Sequence, residues 1–177
     1  MIARRQAQSG RVRFSAALLL LCAALGCDES ARPGLGRSPE PPSTLVAASF
    51  RCPSGSSAFR IEKEGYIRTE RYPYDPRDGI RGVTLLLRAG ACHRAAGRTR
   101  EANRAASAAK RLSSRIAQDY SAARVGLERA LANESWGAVT HDAHRLLAFT
   151  DHVQPHPYVQ WLRRVASRAA SHDDTSR

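Results

Sequence analysis

The chain has 177 residues, 28 Lys or Arg against 16 Asp or Glu, and a formal net charge of +12, which suits one domain with its own core. It holds no G-x-S-x-G, phosphate loop, H-E-x-x-H or acid pair in a defined frame. No enzymatic activity, cofactor or small-molecule substrate is therefore expected.

Residues 1–26 open with Arg4, Arg5, Arg11 and Arg13 and no acid, followed by an apolar run, Phe14 to Leu25, of twelve residues. A bilayer span needs about 20 apolar residues. A basic lead, a short apolar stretch and small residues together read as a secretory signal.

The end of that run, Ala23 to Cys27 ("AALGC"), resembles the lipobox of bacterial lipoproteins, with Ala24 where leucine is commoner. The resemblance implies cleavage ahead of Cys27, diacylation of its thiol by chains such as palmitate, and membrane anchoring in the cell envelope. It leaves the leaflet open. Two or more acyl chains hold firmly, at ~0.8 kcal/mol per buried CH₂. Cleavage would leave residues 27–177 with a charge of +8. Outside the cytoplasm a basic surface points away from nucleic acid and toward anionic lipid, cell-wall polymer or an acidic protein. All basic residues but Lys63 and Lys110 are arginine, a bias that a GC-rich genome also produces.

Residues 27–48, with Pro33, Pro39, Pro41 and Pro42, read as a flexible tether. Cys52 and Cys92 are the cysteines left after lipidation. In an oxidising compartment they either pair, closing a loop of about 40 residues, or stay as buried thiols. Neither sits in a C-x-x-C that would suggest zinc.

Residues 49–78 alternate polar and apolar side chains at Ser49–Cys52, Ala58–Glu62 and Gly65–Thr69. The expectation there is an irregular or short β-hairpin segment. Tyr66, Tyr72 and Tyr74 close it, either as a binding lip or as rings laid on neighbouring helices.

Residues 79–170 are expected to be helical. Asp78 is a candidate N-cap for a helix to about Ala96 with Ile80, Val83, Leu86 and Leu87 on its apolar side, stopped by Gly97. Thr99 caps the next, to Ala132. Its Ala102–Ala105–Ala109–Leu112–Ile116–Tyr120 seam continues to Leu131 through Ala123, Leu127 and Ala130. Arg100, Arg104, Arg111 and Arg115 fall almost opposite that seam, either as a solvated face or as a grip on an anionic partner. Ser135 caps Trp136 to Phe149, whose stripe is Trp136, Val139, Ala143, Leu146 and Leu147. Pro157 opens the last helix, with Tyr158, Trp161, Leu162, Val165 and Ala169 facing inward. Residues 171–177 read as a disordered tail.

Helices of this length on short turns pack as antiparallel pairs. Leu86, Ala89, Gly90 and His93, then Ala102 and Ala106, stand where the tetratricopeptide repeat has W-x₂-L-G-x₂-Y and A-x₃-F. Only Gly90 and Ala102 match outright, and the closing proline is missing. A second unit would put Glu134 in the place of Gly97, 37 residues on, with Trp136 just after it. The fold expected is mainly α, with tetratricopeptide-like hairpins or a plain helical bundle. The resemblance implies a scaffold for a protein partner. A binder of anionic cell-wall polymer or lipid headgroups, working through the arginines, is the alternative.

His141 and His144 are neighbours on one helix face, near His152 and His156, but no third ligand is defined, so a metal is a remote reading. His93 beside Cys92 is no thiol–imidazole couple, because adjacent helical residues diverge by about 100°.

Overall fold

A computed structural model describes residues 35–43, 50–55, 57–153 and 155–175, with side chains to residue 172. The expected signal at 1–26, the lipidated Cys27 and residues 44–49 lie outside the described residues, as do 176 and 177. The chain divides into two compact units, Met1–Gly36 and Arg37–Arg177. Of the first only Leu35 and Gly36 are described.

Among the described residues the second unit has five helices: α1 (Ala58–Arg71), α2 (Pro76–Ala95), α3 (Thr99–Ala132), α4 (Trp136–Phe149) and α5 (Pro157–Thr175). Each packs on the next in sequence, and α2 also meets α4. Among the described residues no helix is long and apolar enough to cross a membrane.

Helix α1 overturns the expected strands at Ala58–Glu62 and Gly65–Thr69. Ser57 caps it, its hydroxyl accepting from the Arg60 N–H at 3.4 Å. The buried positions are Ala58, Glu62 and Gly65, at helical spacing but small or charged, while Phe59 stays 52% exposed. The large apolar side chains Phe59 and Ile67 therefore do not mark the buried face of this helix. Gly65 is what lets α1 approach, since a Cβ there would stand 2.9 Å from Cγ of Leu86 on α2.

Helix α2 starts three residues earlier than expected. Asp75, not Asp78, is its N-cap, accepting from the Arg77 N–H at 3.0 Å, with Pro76 fitting the first turn. Asp78 instead lies buried in that turn, 2.6 Å from Arg68 Nη1 and 3.0 Å from Arg71 Nε of α1. Gly97 ends α2 as expected, at φ +72°, with the Arg98 N–H reaching the His93 carbonyl at 2.9 Å.

Helices α3 and α4 have the expected limits, though neither Thr99 nor Ser135 caps through its side chain. The N-cap of α3 is Arg98. The expected α3 seam is buried from Ala102 to Ala130, with Ala108 added and Leu131 only half-buried. The α3–α4 turn repeats the α2–α3 turn with Glu134 at φ 54° in place of the glycine, and the Ser135 N–H bonds the Ala130 carbonyl at 3.0 Å. Helix α5 keeps the expected inward residues buried and runs on to Thr175, so residues 171–175 are helical rather than a tail.

The core gathers Leu86, Ile116, Leu127, Val139, Leu146, Phe149, Leu162 and Val165, all fully buried. Sγ of Cys52 and Sγ of Cys92 stand 2.07 Å apart, a disulfide that fastens the segment before α1 to the last turns of α2.

Candidate functional site: an arginine-lined cleft

Two polar constellations connect α1 and α2 to α3. The first is built on two buried groups, Glu62 and His93, with the exposed Arg104 closing it. Glu62, 4% exposed, takes Arg104 Nε at 3.0 Å and Nη2 at 3.1 Å, while its Oε2 lies 2.9 Å from His93 Nε2. Burial alone would raise the Glu62 carboxyl. The hydrogen bonds from Arg104, then His93, outweigh it and hold the group below its ordinary value. As a carboxylate, Glu62 accepts from His93 Nε2–H, which leaves His93 Nδ1 without a partner among the described residues. This arrangement ties α1, α2 and α3 together, and the bond to Cys52 leaves Cys92 no thiol for His93 to act on.

The second constellation opens to solvent. The α1–α2 corner, α3 and α4 enclose a cleft of about 810 Å³. Tyr72 forms its base. The ring lies against Gly79, where a Cβ would overlap it, and the hydroxyl donates to Asp119 Oδ2 at 2.6 Å. Burial, then this bond to Asp119, pushes the phenol well above its ordinary value, so it remains a donor. Pro73 and Pro76 flank Tyr74, whose ring is 91% exposed at the rim. Of the three tyrosines weighed as a lip, Tyr74 stands out, Tyr72 is packed away and Tyr66 is half-buried.

Three arginines line this space. Arg115 of α3 lies 5.6 Å over the Tyr72 ring and 4.0 Å from Asp119. Arg145 of α4 lies 6.0 Å over Phe149. Arg77 of α2 stands 3.9 Å from Asp75 and 3.6 Å from Asp151. His141 and His144 line the same cleft from α4, both exposed, with His141 Nδ1 3.1 Å from Asp142 Oδ1.

Comparison with family models, with curated proteins and with solved structures finds no match. Any reading of the site therefore rests on its own geometry.

Features far apart in the sequence converge here: Tyr74, Arg115 and the His141–His144 pair. The four arginines of the stripe have different surroundings. Arg104 is held by Glu62 and Arg115 turns into the cleft, while Arg100 and Arg111 stay exposed with no ion pair among the described residues. Among the described residues no three His, Cys, Asp or Glu side chains are grouped to hold a metal. His156 is occupied in capping α5, its Nδ1 accepting from the Tyr158 N–H at 3.2 Å. Sequence reasoning missed Arg77, Arg145 and Asp119. Arg77 sits in "DPRDG", the stretch taken for a cap, and the other two carry no local signal.

Proposed function

We propose that this chain is a bacterial envelope lipoprotein, anchored through acylated Cys27, whose helical domain is a non-enzymatic scaffold for a protein partner. The cleft carries the reading. A pocket of about 810 Å³ with an exposed tyrosine at its rim suits a side-chain-bearing ligand. Support for the location comes from the basic, apolar and small-residue order of residues 1–27 and from the Cys52–Cys92 bond, which suits an oxidising compartment. Support for tetratricopeptide-like hairpins comes from the shared geometry of the turns at Gly97 and Glu134.

A photo-crosslinking residue at position 74 tests the partner. It should give one discrete protein adduct in membranes, and the same probe at the exposed Val125 should not. A ladder of adducts equal at both positions would sink the scaffold. Cys27→Ala should abolish palmitate labelling and release the chain from membranes. Retained labelling would sink the anchor.

A second reading, binding of anionic cell-wall polymer or lipid headgroups, is favoured by the exposure of Arg100 and Arg111. Their double replacement by Gln should then reduce salt-sensitive sedimentation with cell wall. Unchanged sedimentation removes that reading.

A further inference from the structure

The donors and acceptors of the cleft are not in balance. Its acids are already engaged by neutral donors: Asp119 by the Tyr72 hydroxyl at 2.6 Å and Asp75 by the Arg77 N–H at 3.0 Å. Its guanidinium groups are not. The nearest carboxylate oxygens lie 4.0 Å from Arg115 and 3.6 Å from Arg77, beyond hydrogen-bond length, and Arg145 has no ion pair among the described residues. Elsewhere in the same fold Arg68 and Arg104 meet carboxylates at 2.6 to 3.1 Å. Each arginine carries five N–H donors in a fixed plane.

Two of these groups stand beside aromatic rings of the cleft. Arg115 lies over Tyr72 and Arg145 over Phe149. A guanidinium with no carboxylate within hydrogen-bond length keeps its N–H edges for a bidentate oxyanion. Both line the same cleft.

We propose that the cleft binds an acidic peptide segment, its carboxylates taken by Arg115 and Arg145 and a neighbouring aromatic or apolar side chain laid against Tyr74. This deepens the scaffold reading and rests on it for the native partner. A peptide fits better than a uniform polyanion because the exposed Tyr74 ring at the rim offers a surface that only an aromatic or apolar side chain would use.

The test uses the full chain purified from membranes in neutral detergent and a fluorescein-labelled Glu-Glu-Phe-Glu-Glu peptide, with its all-Gln counterpart as control. Fluorescence anisotropy should show saturable binding of the acidic peptide alone. Arg115→Gln or Arg145→Gln should each weaken it about tenfold, Arg145→Lys should not restore it fully, and Arg111→Gln should leave it unchanged. Thermal melts should be the same for these exposed-residue variants. Equal binding by wild type, R115Q and R145Q overturns the proposal. So does displacement of the peptide by millimolar inorganic phosphate or by phosphatidylglycerol vesicles, which would assign the arginines to phosphoryl groups. A position-74 adduct without peptide binding keeps the scaffold and overturns this inference. Arginine-dependent peptide binding without an adduct supports the site and overturns only the native partner.

Discussion

The Tyr72 hydroxyl donates to the Asp119 carboxylate across 2.6 Å and so ties the corner between α1 and α2 to the middle of α3. The bond joins the base of the cleft to one of its walls. Tyr72→Phe should therefore cost about 1.5 kcal/mol by urea unfolding, the low end for a bond to a charged group, because Asp119 is partly open to water. Gly79→Ala should cost more, about 2–3 kcal/mol, because its methyl enters the Tyr72 ring.

Glu62 makes stability depend on acid. Its carboxyl is held below the ordinary 4.5. The stabilisation is then complete above about pH 4.5 and is lost as pH falls through the lower folded value. Urea midpoints from pH 7 to pH 3 should show a gap between wild type and Glu62→Gln that narrows below about pH 4.5. A gap constant over that range would mean that the carboxylate is not what matters.

The two turns flanking α3 predict opposite effects of glycine. Gly97 is at φ +72° with nothing within 4 Å of a built Cβ, so Gly97→Ala should destabilise by about 1 kcal/mol through the backbone alone. Glu134 holds φ 54° without that freedom, and Glu134→Gly should stabilise by a similar amount. Thermal denaturation of both variants checks the pair.

The Cys52–Cys92 bond closes 40 residues of sequence, worth about 4 kcal/mol in the chain-entropy model. Reductant, or Cys52→Ser, should lower the melting temperature by about 10 °C. Mass analysis after alkylation without reductant should find neither thiol labelled.

The legible parts of the fold are those where large apolar side chains do the packing. Leu112, Ile116 and Leu127 in α3, and Val139 and Leu146 in α4, repeat at helical spacing, and both helices have the expected limits. Helix α1 was not legible, because its contact face is Ala58, Glu62 and Gly65 and its Phe59 and Ile67 point outward. The start of α2 was misplaced because two aspartates flank Pro76–Arg77, and only the tertiary partners Arg68 and Arg71 say which is buried. The cleft was visible as separate residues, Tyr74, Arg115 and His141, but not as a place. Its assembly depends on how α3 joins helices that lie far apart in the chain.

At 34 residues α3 is about 51 Å long, and it meets α2 as well as α4. It is the ruler of this domain. Loops elsewhere absorb insertions, but one extra residue near Ser121 would rotate everything downstream by about 100°. Arg115 would stay put while Arg145 swung to another side of the rod. Changes of length in this helix are thus expected to be far less tolerated than changes of composition along its outer surface.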